Sequence, residues 1–143
     1  MSSVLPIATS GMLAASTRLN VAAGNTANIL TTGPLPSAAN SGSTDASGFP
    51  SAYVPLTVNQ VDASAGSGPS GTVATVSPVS PTFVAVSNPS AAFADPTGLV
   101  AAPNVDPVNL FVQAAIAKYA FGANADAART DSQMTKSLLD VLT

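Results

Sequence analysis

Residues 4–31 read VLPIATSGMLAASTRLNVAAGNTANILT, and the spacing of apolar side chains along them sets the expected architecture. Alternate steps of three and four run from Leu5 through Ala8, Met12, Ala15, Leu19, Ala22 and Thr26 to Ile29. Seven of these eight positions are apolar, which predicts a helix carrying one heptad-like stripe. Pro6 falls in the first turn, where a missing N–H costs little. Gly33-Pro34 supplies a stop, so the N-terminal helical region is placed at 4–32.

The other end of the chain, 105–143, predicts a second and longer helix. Asp106 is a good N-cap residue, and Pro107 then sits at the first helical position with its φ already suited to a helix. One stripe takes in Leu110, Ala114, Ala117, Phe121, Ala128, Leu138 and Leu142, and a second face carries Val108, Val112, Ala115, Ile116 and Tyr119. A helix apolar on more than one face needs more than one partner. The N-terminal helix can cover one stripe; the other is left for a second chain. The expected fold is therefore mainly α, its long N- and C-terminal helices packed as a coiled-coil-like pair forming one domain.

Between the helices, 33–104 holds ten of the twelve prolines and predicts no helix. Three β-prone runs stand out, Tyr53–Val61, Thr72–Val79 and Thr82–Val86, with alternation visible in Val54, Leu56 and Val58 and again in Val84 and Val86. Ala63–Gly71 reads as a flexible connection, and 37–48 as disordered by composition. The middle is expected to be a small, irregular β-hairpin or extended segment.

Composition narrows function by what is missing. The 143 residues include no His, Cys, Trp or Glu, and all seven acidic residues are Asp. The common zinc and transition-metal ligands are absent, and neither a Ser–His–Asp nor a Cys–His arrangement can be assembled. An enzyme is not expected, nor a cofactor or metal. Only Arg18, Lys118, Arg129 and Lys136 are positive against a net charge of −3, so no basic patch exists for nucleic acid. No small-molecule substrate is implied either. Charged residues are 8% of the chain, and 27 residues are Ala. Such a surface, far below the ~25% charge of ordinary soluble domains, is poorly protected from self-association. The apolar stretch Val4–Ala15 has no preceding Lys or Arg, and Arg18 follows it, the wrong order for a Sec signal.

Both termini resemble the axial proteins of the bacterial flagellum. The N-terminal match runs from Ile7 to Asn28, with Ser10-Gly11 near its start, Leu19-Asn20-Val21-Ala22-Ala23 midway, Asn25 and Asn28, then Thr31-Thr32-Gly33. Gly24 stands where the family signature has its first Asn, and Thr26 where it has Ile. Within the class the chain is most similar to the short proximal rod proteins, the FlgC family. The connector Ser80-Pro81 through Val84, Asn88-Pro89, Ala94-Asp95, Gly98-Leu99-Val100 and Pro103-Asn104-Val105-Asp106 parallels that family, and the spacing holds to Asn124, with Phe121 where Tyr is common. Val108-Asn109-Leu110-Phe111 departs from it, replacing an acidic pair.

The resemblance implies a basal-body rod subunit of the drive shaft that crosses the periplasm, exported by the flagellar type III apparatus without a cleaved signal peptide. Its implied partners are other rod subunits (FlgB, FlgF, FlgG), FliE, the MS ring and export gate, and further copies of itself. The residues expected to pack helices or subunits together are Leu5, Met12, Leu19, Asn25, Asn28, Ile29, Leu110, Phe121, Asn124, Leu138 and Leu142. Asn25 and Asn28, three apart, are candidates for bonds between helices of adjacent subunits. A different rod subunit of the class, or a secreted surface or adhesive protein displaying its Ser/Thr/Pro-rich segment, remains the alternative.

Overall fold

The computed structural model describes residues 4–36, 48–63 and 71–141. In chain order these form α1 (Val4–Asn28), β1 (Leu56–Asp62), β2 (Thr72–Pro78), β3 (Phe83–Ser87), β4 (Leu99–Pro103) and α2 (Pro107–Val141). The 37–48 stretch, except Gly48, and most of Ala63–Gly71 lie outside the described residues.

β1 pairs with β2 and β3 with β4, making two small antiparallel sheets. The described chain is 50% helix and 22% strand. This corrects the expectation of a mainly α fold dominated by a coiled-coil-like helix pair with an irregular middle. The physical reason lies in side-chain size. A coiled-coil seam needs large knobs, yet Leu5 and Leu19 on α1 and Phe121 and Leu138 on α2 are exposed. The apolar residues that the helices bury, among those described, are alanines: Ala8, Ala14, Ala15, Ala22 and Ala117. The β-prone middle, meanwhile, is ordered into ladders instead of remaining irregular.

The chain forms two compact units interleaved in sequence. The first comprises Met1–Ala22, Val58–Val76 and Phe111–Thr143. Its buried apolar side chains are the five alanines, and the small faces let α1 and α2 approach closely. A Cβ added at Gly11 would lie 2.5 Å from Asn124 Oδ1 and 2.6 Å from its Cγ. Polar side chains on α1 hold the strands. The Ser10 hydroxyl donates to Ile7 O at 2.7 Å and accepts the Thr72 N–H at 3.1 Å, while Arg18 Nη2 donates to Gln60 Oε1 at 2.8 Å. At the end of the hairpin the Ala63 N–H donates to Gly71 O, and Gly71, at φ 86°, takes a left-handed conformation open to glycine. On α2, Arg129 meets Asp126 at 3.4 Å, an exposed i,i+3 pair worth a few tenths of a kcal/mol.

The second unit comprises Ala23–Thr57 and Ser77–Leu110. Its sheet pairs Phe83 with Pro103, Ala85 with Ala101 and Ser87 with Leu99. β4 was not legible as a strand: LVAAP is short, has two alanines among its five residues and ends on proline. It nonetheless sits at the centre of this unit, because Ala101 exchanges both backbone hydrogen bonds with Gly33 on its other side. Val100 is fully buried, and so is Pro55, whose carbonyl accepts the Val79 N–H at 2.9 Å. Phe49 and Phe93 pack ring to ring, centroids 5.6 Å apart. α2 starts as its sequence predicts: Asp106 Oδ1 accepts the Val108 N–H at 2.9 Å, with Pro107 opening the helix. α1 ends earlier than the Gly33-Pro34 stop, because Asn28 O is taken by both the N–H and the hydroxyl of Thr31.

Gly33 is required by space. Its φ is ordinary, but a Cβ there would collide with Ala52 N, with Ser51 C at 2.7 Å and with Pro50 O at 2.8 Å, all backbone. Gly33→Ala is therefore expected to destabilise the fold by about 2 kcal/mol, as overpacking does. Gly48→Ala, with nothing within 4 Å, incurs only the ~1 kcal/mol of a left-handed backbone. Urea denaturation of the two variants checks the ordering.

Candidate assembly surface

Asn25 is the one buried polar residue among those described, 5% exposed. It sits near the end of α1, where the helix meets the segment leading into β1. Its Nδ2 donates to Leu56 O at 2.7 Å, and its Oδ1 accepts the Leu56 N–H at 3.0 Å and the Tyr53 hydroxyl at 3.1 Å. The amide thus reads one residue's backbone as a neighbouring strand would, meeting both donor and acceptor. Asn is suited to this because it offers both groups on a short stem. At Gly24 beside it a Cβ would meet the Tyr53 hydroxyl at 3.7 Å, an ordinary contact, so space alone does not demand glycine there. Asn28 bonds within its own helix, Nδ2 to Gly24 O at 2.9 Å. Asn25, weighed as a tie between subunits, thus spends its amide within the chain, and Asn28 directs one N–H of its amide there.

The remaining candidate residues fall into three groups. Met12, Ile29, Leu110 and Asn124 are half-buried, and Asn124 donates from Nδ2 to Ala120 O at 2.7 Å. Leu5, Leu19, Phe121 and Leu138 face solvent. Leu142 lies outside the described residues. The inward line on α1 runs Ala8, Gly11, Ala15, Arg18, Ala22 and Asn25; it keeps the alanines of the expected stripe and replaces Met12, Leu19 and Thr26 by the residues one position before them. Ser10, Gly11, Arg18, Tyr53 and Leu56 were missed as packing residues. The Ser10-Gly11 pair was in view as a signature, but its partners, Thr72 and Asn124, are distant in sequence and carry no local signal.

The outward face of α2 is apolar. Val108, Phe111, Val112, Ala115, Ile116 and Tyr119 are all exposed, Tyr119 by 75%. Steps of three and four place Val108, Val112, Ala115 and Tyr119 on one line. Every described residue beyond Asp131 is exposed as well.

The connector residues that carry the rod resemblance form a tight turn into β4. Asp95 Oδ1 accepts the N–H groups of Thr97 and Leu99, each at 2.8 Å, and the Thr97 hydroxyl at 2.7 Å. Gly98, at φ 79°, completes the turn and donates its N–H to Asp95 O. The Leu99 N–H, then the Thr97 hydroxyl, hold the Asp95 carboxyl below its ordinary value of 3.8.

No protein-family model matches this chain, and no curated protein matches it in sequence. No described helix is long and apolar enough to cross a membrane.

Two outcomes follow from this geometry. Asn25→Ala leaves the Leu56 donor and acceptor unmet and is expected to cost about 2–3 kcal/mol, against about 1 kcal/mol for Tyr53→Phe, which removes one bond; chemical denaturation measures both. Because the folded Asp95 value is lowered, its stabilisation is present above its unfolded value and is lost as pH falls through the folded one. Asp95→Asn should therefore remove part of the acid-side decline in Tm, seen by comparing the two proteins from about pH 5 down to about pH 2.

Proposed function

We propose that this chain is a structural subunit of the proximal rod of the bacterial flagellar basal body, assembling with copies and relatives of itself into the shaft that transmits torque. The observation that carries the assembly part of this reading is the outward apolar face of α2. A solitary chain gains nothing by holding Val108, Val112, Ile116 and Tyr119 in water, whereas side-by-side subunits cover such a line. The terminal signatures around Ser10-Gly11, Asn25 and Asn28 and the connector from Ser80 to Asp106 support the same reading, and they alone point to the flagellum. An inventory without His, Cys or Glu suits a part that binds surfaces and turns over no substrate. Its neighbours would be the rod subunits FlgB, FlgF and FlgG, FliE, and the MS ring with the export gate; export would proceed through the type III apparatus.

The test is genetic and biochemical together. Tyr119 and Val108 are solvent-facing, so Tyr119→Asp and Val108→Asp leave the subunit's own fold intact. In either variant the protein should be synthesised and exported normally, be absent from purified basal bodies, and leave cells non-motile, because a buried unpaired charge between subunits costs several kcal/mol. Wild-type swimming in both variants would refute the assignment.

A further inference from the structure

β3 has one edge bonded and one open. The bonds Thr82 O to Asn104 N–H and Asn88 N–H to Gly98 O fix which β3 residues face β4. With the register Val84 to Ala102 and Val86 to Val100, the even-numbered residues point their backbone groups at β4. In an antiparallel pair the alternate residues then point theirs away. Phe83, Ala85 and Ser87 thus present three N–H and three C=O groups on the outer edge. The same parity appears on β4, where Ala101, opposite Ala85, turns its backbone away from β3 to meet Gly33. Phe83, Ala85 and Ser87 have no such partner among the described residues.

Open edges are ordinarily guarded by charge, proline or a bulge. This one has none of these. β3 itself lacks proline, its pairing with β4 is continuous, and no charged residue occurs from Ala63 to Ala94. Val84 and Val86 on one face of the strand are 41% and 43% exposed.

We infer that the open edge of β3 docks the β3 of a second copy of this chain, in a two-fold antiparallel pair centred on Ala85. The strand matches itself. With Ala85 opposite Ala85, Phe83 stands opposite Ser87 and Val84 opposite Val86. The outward groups at 83, 85 and 87 then meet their counterparts in hydrogen-bonded positions, and the valines pair on one face beside Val100 and Ala102 of each β4. A two-fold contact uses the same patch twice, and an uncharged edge meets its copy without repulsion. An unrelated strand would need its own complementary register and side chains; the second copy brings both. Two five-residue strands cover well under the roughly 800 Å² per partner of a standard interface, so the pair is weak in dilute solution and forms when copies are concentrated or held in an array. This contact is separate from the α2 face and does not depend on the rod reading.

The full chain contains no cysteine, which makes single-cysteine crosslinking clean. Directly opposed hydrogen-bonded residues lie about 5.5 Å apart at Cα, within disulfide reach. Under mild oxidation at high protein concentration, Ala85→Cys should give covalent dimer, and Thr97→Cys, an exposed control in the same unit, should not. Ala85→Pro removes only an outward N–H and spares the β3–β4 ladder; with unchanged circular dichroism it should weaken dimerisation roughly tenfold, having deleted two of the six edge bonds. If that variant loses its fold, Ala85→Lys and Ala85→Asp replace it: each alone should associate about two- to fivefold less than wild type, and their equimolar mixture should recover. Equal crosslinking of Ala85→Cys and Thr97→Cys, wild-type association of a folded Ala85→Pro, or no recovery in the mixture would each overturn the inference.

Discussion

The side-chain amide of Asn25 is the constraint on which the second unit turns. A helix can normally bond a following extended segment only through its cap, because its own backbone groups are consumed internally. Asn25 avoids that limit by lending its side chain as a backbone surrogate, fixing Leu56 by both N–H and C=O. Once Leu56 is fixed, the neighbouring Pro55 carbonyl is placed to receive Val79, and Tyr53 is drawn in through its hydroxyl. A charged or purely accepting group at position 25 could not serve both sides of one peptide. The near-complete burial of this amide is tolerable because every polar atom on it has a partner.

The first unit follows the same logic with other residues. Its fully buried apolar side chains are alanines, which give close approach but little apolar area, so specificity comes from two polar hooks, Ser10 on Thr72 and Arg18 on Gln60, and from the close fit of Asn124 over Gly11. The large side chains that might have formed an internal core, Leu13, Leu19, Phe111 and Tyr119, point outward instead. Such a division, small inside and large outside, reverses the usual pattern of a self-sufficient domain. It leaves the largest apolar side chains on the surface.

How much of this could be read from the residues depends on the range of the signal. Local rules worked: Asp106-Pro107 marked the start of α2, and the β-prone runs fell on β1, β2 and β3. The exposure of the Val108–Tyr119 face was likewise visible in its spacing. The helix stripe was half right: its alanines, Ala8, Ala15 and Ala22, are buried, but its large members Leu5 and Leu19 are exposed, so the helix-pair architecture that needed them as knobs failed. The inward line, through Gly11, Arg18 and Asn25, carries residues no hydropathy scale would choose. β4 failed for a related reason, since its five residues are ordered by Gly33 and β3 on its two edges and not by any β preference of their own. Asn25 was marked as important, but its partner, 31 residues away in sequence, lay beyond any periodicity.

An interior lined by alanine also shapes the thermal behaviour of the molecule. The heat-capacity increment of unfolding grows with the apolar surface newly wetted, and five buried methyl groups in the first unit contribute little of it. The fully buried side chains therefore add less curvature to the free-energy profile with temperature than the same number of leucines would. Relative to a leucine-filled core of equal size, such a unit has a flatter dome of stability against temperature and loses less of its strength on cooling.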